Sequence, residues 1–280
     1  MLIALTTHKS KIMEGVMLKV LKGLTLGGAL LAASALMATT GQAGDSGTVL
    51  VTGANRGIGL EFARQYAAKG YKVIATARKP AEATELNALA KVDKDIVVEA
   101  LDVTDLAAID ALAAKYKGQA IDILINNAGI TGSPEKQRFG TIDYASFDDV
   151  MNTNVRGPLK ITEAFTEHLA MSKQKKVMVV TSSEGSIAGV TSNRQPFYRG
   201  SKAAVNMVMK NVSYALKDRG ISIALINPGP VDTDMMAAAR GRMPLRTTEL
   251  AVKELSAIME TLTVEKTATF FNFDGAPLPW

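Results

Sequence analysis

The chain contains no cysteine and only two histidines, His8 and His168, among its 280 residues. Without cysteine, disulfides, thiol catalysis and cysteine-ligated metals are excluded. Two histidines cannot build a His-rich metal site, so we predict no bound metal. No basic run or aromatic-interleaved patch stands out after residue 44, which argues against a nucleic-acid partner. His168, within Thr166-Glu167-His168-Leu169, is interpreted as a helix-surface residue rather than a catalyst.

The composition is that of a globular protein. Hydrophobic residues make up 47% of the chain and charged residues 21%, which suits one large α/β domain or two small ones. The formal net charge is +5. Residues 1–44, with four lysines and one glutamate, carry +3 of it and leave +2 for the rest.

The sequence near the amino terminus indicates a secretory signal. Lys19 and Lys22 precede an apolar stretch at 24–37, and small residues follow at 41–43. This order of charge, short apolar core and small residues is typical of an export signal. An uncleaved membrane anchor is an alternative, which the shortness and the Ala and Gly content of the core disfavour. A disordered tail on a cytosolic enzyme is the third interpretation.

In each of these interpretations, residues 1–44 lie outside the fold and residues 45–280 form a single domain. If the signal begins at Met17, residues 1–16 are an upstream extension. The positive-inside rule places the lysines before the apolar stretch in the cytoplasm and the following domain outside. We therefore predict a periplasmic or membrane-anchored location, with the cytoplasm as the alternative.

After residue 47, short β-branched or apolar runs alternate with segments of helical spacing. The runs are 48–54, 71–78, 96–103, 121–129, 176–183, 221–229 and 267–275. Strands with few polar positions, separated by helices, indicate a parallel sheet covered on both faces. Right-handed crossovers then give a doubly wound α/β fold of the Rossmann type, with a seven-stranded parallel sheet.

The first strand runs into a glycine-rich turn, Gly53-x3-Gly57-x-Gly59, and then into a helix. Gly53 allows a sharp turn, Gly57 allows the backbone to approach a pyrophosphate, and Gly59 allows close packing of helix on sheet. The helix N-terminus supplies free N–H groups for that anion. An ordinary strand-to-helix turn is the alternative. The predicted dinucleotide contacts here are Gly53, Asn55, Arg56, Gly57, Ile58 and Gly59.

The end of the second strand discriminates between dinucleotides. Proteins that bind NAD place a carboxylate there to contact the ribose 2′-hydroxyl. Here the strand ends in Ala77-Arg78-Lys79, without an acid. Arg78 and Arg56 together could bind a 2′-phosphate, although either could be a solvated surface residue. We therefore predict NADP(H) as the cofactor.

Tyr198 and Lys202 are spaced i, i+4 and share one face of a helix. A nearby ammonium stabilises phenolate and is expected to lower the tyrosine pKa, so that Tyr198 could protonate a developing alkoxide. Taken alone, such a pair is usually a surface pair.

A predicted strand end upstream carries Thr181-Ser182-Ser183, where a hydroxyl could donate a hydrogen bond to a substrate oxygen. A turn serine is the alternative, and the chemistry alone does not choose among the three hydroxyls.

These motifs resemble those of the classical short-chain dehydrogenases/reductases. The glycine-rich turn, Asn126-Asn127-Ala128-Gly129, the serine-bearing strand end, Tyr198-x3-Lys202 and Asn227-Pro228-Gly229 occur in that family's order across residues 47–280. The ending Gly-Ala-Pro-Leu-Pro-Trp is similar to the C-factor and sniffer-type carbonyl reductase branch.

The resemblance implies roles for individual residues. Tyr198 is the acid–base group, Lys202 is its electrostatic partner and ribose contact, and Ser182, three residues before Gly185, is the family serine. Asn154 matches the asparagine that holds a water in the proton path. The remaining implied cofactor contacts are Asp102, Val103, Asn127, Ala128, Gly129, Pro228, Gly229, Val231 and Thr233. The segment 191–196 lengthens the Ser182–Tyr198 spacing beyond that of many members and is expected to reshape one wall of the substrate pocket.

The resemblance implies NADPH-dependent reduction of an aldehyde or ketone by hydride transfer. A cofactor-binding signal or sensor of the C-factor type, with incidental catalysis, is the alternative. The Met-rich segment 234–248 is expected to form a mobile substrate loop, and the particular carbonyl substrate is not readable. Family habit implies a homodimer or homotetramer that packs through helices at 146–171 and 197–217.

Overall fold

A computed structural model describes residues 46–280, and the predicted signal or anchor at 1–44 lies outside them. Residues 46–280 lie within one compact unit. Within 46–280, no helix is long and apolar enough to cross a membrane.

Seven parallel strands form one sheet in the order β3-β2-β1-β4-β5-β6-β7. The strands are β1 Thr48–Val51, β2 Lys72–Ala77, β3 Ile96–Ala100, β4 Ile123–Asn126, β5 Lys176–Val180, β6 Ser222–Asn227 and β7 Thr269–Asn272. Each predicted run contains one strand, and the doubly wound fold is confirmed. The strand order reverses between β1 and β4, and in such sheets ligands bind at the carboxyl ends of the strands on either side of that reversal.

Eight α-helices connect the strands in the described part of the chain. They are α1 Gly57–Ala68, α2 Thr84–Val92, α3 Leu106–Lys115, α4 Tyr144–Met151, α5 Gly157–Ala164, α6 Thr166–Met171, α7 Pro196–Leu216 and α8 Thr248–Glu260. The predicted helix at 197–217 corresponds to α7. The predicted helix at 146–171 is divided, because a π-helical turn, Asn152–Arg156, separates α4 from α5.

Two apolar layers cover the sheet, one on each face. Side chains alternate along β1, so that Val49 and Val51 enter one layer and Leu50 enters the other. The first layer holds residues of α1, α2 and α8: Phe62, Leu86 and Leu255. The second holds residues of α3, α5 and α7: Ile109, Ile161 and Val205. Burial of each such side chain contributes about 1.5–3 kcal/mol, and these layers fix the strand ends that carry the polar site.

The interpretation of His168 as a surface residue is wrong. The imidazole is buried, with Nε2 3.1 Å from the carbonyl oxygen of Ala113 on α3 and the ring 5.0 Å from that of Phe165. The short helix α6 turns this side chain inward against α3, where it has a packing role.

Candidate active site

The glycine-rich turn has the geometry that its sequence predicts. Gly53 and Gly57 adopt left-handed backbone angles, with φ of +66° and +58°. A Cβ atom on Gly59 would lie 2.2 Å from the carbonyl oxygen of Gly53, so only glycine fits where α1 crosses β1. Nearby, Asn55 is half-buried and Ile58 packs against the first apolar layer.

The N-terminus of α1 is open to an anion. Arg56 is the capping residue, yet its side chain makes no capping hydrogen bond, and the first turn of the helix carries no acid. Free N–H groups and the helix dipole therefore point out of the turn without an internal partner. A pyrophosphate fits this cradle, in which left-handed glycines keep the backbone accessible.

Thr52 connects this turn to the end of β4. Its hydroxyl accepts hydrogen bonds from the backbone N–H groups of Asn127 and Ala128 at 3.0 and 3.1 Å. Asn127 Nδ2 donates back to the carbonyls of Thr52 and Gly53 at 2.9 and 3.1 Å. In the sequence, Thr52 stands immediately before Gly53 at the head of the family's glycine-rich motif, but sequence reasoning assigned it no role.

The two predicted phosphate-binding arginines lie in different environments. Arg78 is exposed at the end of β2 and faces Asp102 at the end of β3. Burial would raise the pKa of Asp102, but hydrogen bonds from Thr104 and the charge of Arg78 hold it below its ordinary value. Arg56 instead forms an ion pair with Asp234, with Nη1 and Oδ2 2.8 Å apart. Val103 is buried directly after Asp102.

Tyr198 and Lys202 lie on α7, next to the end of β5. Lys202 Nζ donates to the carbonyl oxygen of Val180 at 2.9 Å and lies 5.7 Å from the centroid of the Tyr198 ring. The Tyr198 hydroxyl interacts with the side chain of Ser182. Ser183 begins a 3₁₀ turn and lines a separate cavity. The structure thus brings Ser182, Tyr198 and Lys202 together and leaves Ser183 aside.

Burial shifts both titrating groups of this cluster away from their charged forms. It lowers the pKa of Lys202 to about 8. It also raises the pKa of Tyr198, with the charge of Glu184 adding to the rise and the interaction with Ser182 opposing it. The expected lowering of the Tyr198 pKa is therefore wrong, because desolvation of the phenolate dominates.

Asn154 lies in the π-helical turn and is buried. Its Nδ2 donates to the carbonyl of Ile130 at 2.8 Å and to Ser201 Oγ at 2.9 Å, and its Oδ1 accepts from the N–H of Ile130 at 2.9 Å. A Cβ on Gly129 would lie 3.3 Å from Asn154 Oδ1 and 3.7 Å from Lys202 Nζ, so these groups are neighbours. π-helical turns inside helices frequently mark functional sites.

Ser201 was missed by the sequence analysis, although it lies between Tyr198 and Lys202. Its hydroxyl accepts from Asn154 and donates to the carbonyl of Tyr198 at 2.8 Å. The hydroxyl therefore connects the π-helical turn to the helix that carries the tyrosine.

The turn that follows β6 lies over the glycine-rich turn. Pro228 precedes Gly229, which has φ of +73° and no room for a Cβ beside Phe273 and Arg246. Val231 forms a parallel bridge with Arg246, whose guanidinium lies 3.8 Å from the Phe273 ring centroid. The methyl group of Thr233 would lie 3.2 Å from a Cβ on Gly57. Arg246, which also pairs with Glu254, gave no signal in the sequence.

The longer Ser182–Tyr198 segment is held by ion pairs. Glu184 pairs with Arg194 and with Arg199, and Arg199 Nη1 also donates to the carbonyl of Ser192 at 2.7 Å. A cavity of about 260 Å³ lies alongside. It is lined by Ser183, Glu184, Ser186, Gly189, Val190, Arg199, Leu278 and Pro279. Among the described residues, no cluster of three His, Asp or Glu side chains could hold a metal.

The family model for short chain dehydrogenases matches residues 47–243. An uncharacterized oxidoreductase of Schizosaccharomyces pombe is 31% identical over 250 residues, which cover 82% of this chain and 96% of that protein.

Two solved structures extend the similarity to the fold. NADPH-bound carbonyl reductase from chicken fatty liver is 32% identical, with a TM-score of 0.76 and coverage of 83% of this chain and 98% of that chain. Carbonyl reductase Sniffer of D. melanogaster is 28% identical, with a TM-score of 0.76 and coverage of 83% and 99%. The chain belongs to the classical short-chain dehydrogenases/reductases, in their carbonyl reductase branch.

Proposed function

We propose that this protein is an NADPH-dependent oxidoreductase that reduces the carbonyl of an aldehyde or ketone to an alcohol. The observation that carries this proposal is the cluster of Ser182, Tyr198 and Lys202 at the end of β5. The names of the similar carbonyl reductases support the same reaction class.

NADP(H) is the cofactor that the site supports. The open N-terminus of α1 and the glycine turn fit its pyrophosphate. The end of β2 offers Arg78 and no acid, which favours a 2′-phosphate over a 2′-hydroxyl. One similar carbonyl reductase was crystallised with NADPH bound. When bound, the cofactor supplies the hydride.

The side chains then divide the remaining chemistry. Tyr198 is protonated at neutral pH, as an ordinary tyrosine is and as its raised pKa further ensures, and it can donate its proton to the developing alkoxide, a much stronger base. The Ser182 hydroxyl donates a hydrogen bond to the same substrate oxygen. Lys202, with a pKa of about 8, is mostly charged at neutral pH and stabilises the phenolate that Tyr198 leaves behind. Asn154 positions this helix through Ser201 and holds the backbone after Gly129.

The test measures NADPH oxidation by its absorbance in the presence of a panel of aldehydes, diketones and quinones. Tyr198→Phe keeps the ring and removes the proton, so it should lower turnover by about 10²- to 10⁴-fold and leave NADPH affinity nearly intact. The matched control is Tyr214→Phe, since Tyr214 is exposed on the same helix. If Tyr198→Phe turns over within a few-fold of the wild type, Tyr198 is not the proton donor and the mechanism is refuted.

We further propose that the protein assembles as a homodimer or homotetramer and that it acts in the periplasm or at the outer face of a membrane. Exposed apolar side chains support the first proposal: Met207 on α7 and Leu159 on α5. The signal-like order of residues 19–43 supports the second.

A further inference from the structure

An arginine of the glycine-rich turn is bound by a carboxylate of the loop that follows β6. Arg56 Nη1 lies 2.8 Å from Asp234 Oδ2. At the preceding position of the loop, Thr233 packs over Gly57. The loop therefore touches the glycine turn through two successive residues, and one of these contacts occupies a predicted cofactor ligand.

The other predicted phosphate ligand is not occupied in this way. Arg78 makes no ion pair within residues 46–280, and the nearby Asp102 accepts its hydrogen bonds from Thr104. Of the two arginines, only Arg56 is held by a protein carboxylate within residues 46–280.

We propose that Asp234 is a specificity-determining residue, whose carboxylate competes with the 2′-phosphate of NADPH for Arg56. This inference rests on the NADP(H) site proposed above. NADPH binding breaks the Arg56–Asp234 pair, whereas NADH, which lacks the 2′-phosphate, leaves it intact. Asp234 thus restrains the preference for NADPH and links the loop to the glycine turn only in the free and NADH-bound states.

Neighbouring charges make this exchange feasible. Arg240 Nε donates to Asp232 Oδ1 at 2.6 Å, and the charges of Asp232 and Asp234 both help to raise the pKa of Arg240. When Arg56 leaves, Asp234 therefore stays beside a positive charge. The side chains of Arg56 and Asp234 are 68% and 64% exposed, so water also replaces the lost contact.

The experiment is a fluorescence titration of the intact protein with NADPH and with NADH, without substrate. Asp234→Asn keeps the shape of the side chain and removes its charge. We expect it to tighten NADPH binding by about two- to five-fold, the range that exposed ion pairs give, and to leave NADH binding unchanged. Asp232→Asn is the matched control, because its partner is Arg240, and it should produce no such difference.

Arg56→Gln closes the double-mutant cycle. In this background, Asp234→Asn should no longer tighten NADPH binding relative to NADH binding. If Asp234→Asn tightens NADPH and NADH binding equally, the effect is general charge repulsion and the competition is overturned. The competition is also overturned if Asp234→Asn changes neither affinity, or if it still tightens NADPH binding more than NADH binding in the Arg56→Gln background. The wild type tests the proposed cofactor site separately. If the wild type binds NADPH no better than NADH, or binds neither, the cofactor site is wrong and this inference loses its basis.

Discussion

Lys202 is a buried cation, and its replacement by methionine should abolish activity without destabilising the protein at neutral pH. The residue is 5% exposed, and burial lowers its pKa to about 8 from an ordinary 10.5. This difference disfavours the folded, charged form by about 3 kcal/mol at pH 7. Replacement by methionine removes this penalty but also removes the hydrogen bond to the Val180 carbonyl, whose loss costs about 1–3 kcal/mol. The free energy of unfolding should thus rise by about 0–2 kcal/mol.

The pH dependence is the sharper measurement, because a lost hydrogen bond shifts stability equally at every pH. Below pH 8, folded Lys202 is charged and its burial penalty is fully present. As the pH rises towards 10.5, the folded lysine is neutral while the unfolded lysine still binds a proton, so the wild type gains stability relative to Lys202→Met. The stability difference between the two proteins should shift by about 2 kcal/mol between pH 7 and pH 9.5.

Urea unfolding at these two pH values measures the effect, and NADPH oxidation measures the loss of activity. Lys253→Met is the matched control. Lys253 is exposed on α8, so its charge stays in water in both the folded and the unfolded states. Its variant should follow the wild type at both pH values. If Lys202→Met and the wild type show the same pH dependence, Lys202 is not buried as a cation.

Five further predictions concern the site, the fold and the surface. Fluorescence titration should show that NADPH binds more tightly than NADH. Arg78→Asp should reduce or reverse this difference in affinity, because the 2′-phosphate would then face a carboxylate. Equal affinities of the wild type for the two cofactors would contradict the prediction. Gly59→Ala places a methyl group 2.2 Å from a backbone oxygen and should destabilise by at least about 1–3 kcal/mol in urea. Gly200→Ala, in open space on α7, should instead stabilise by about 0.5–1 kcal/mol. Light scattering should find a dimer or tetramer, and a monomer at micromolar concentration would count against it. Fractionation with amino-terminal sequencing should find a mature protein outside the cytoplasm, and a soluble cytosolic protein with an intact amino terminus would refute this.

The sheet was predictable because its strands are buried on both faces. Continuous apolar runs, bounded by glycine and polar turns, identify such strands without tertiary information. The predicted runs were too long at their carboxyl ends, as at 121–129, where β4 already stops at Asn126. Those extra residues are the polar and glycine-rich loops that carry the site, and the prediction counted them as part of the runs that they end.

The break in the helix predicted at 146–171 was not predictable. A π-helical turn shifts the hydrogen-bond register, and no residue type marks that shift in Asn152-Thr153-Asn154-Val155-Arg156. The turn lies where Asn154 contacts both Ile130 and Ser201, which are distant in sequence. The roles of Thr52 and Ser201 were missed for a related reason. Each hydroxyl finds its partners only when loops distant in sequence meet.

The electrostatic prediction for Tyr198 failed in an informative direction. A lysine four residues away implied a lowered pKa for Tyr198. Instead, Lys202 is buried and Tyr198 is half-buried, and desolvation opposes the charged form of each. Within the described chain, Lys202 has a backbone carbonyl as its hydrogen-bond partner and forms no ion pair with a carboxylate. Its charge is therefore left for the negative charge that develops on Tyr198 as the proton departs. The raised pKa keeps Tyr198 protonated until a developing alkoxide, which is a much stronger base than phenolate, takes the proton. Burial of the Lys202 charge lowers the stability of the folded protein, and the same burial strengthens the electrostatic interaction of that charge with Tyr198.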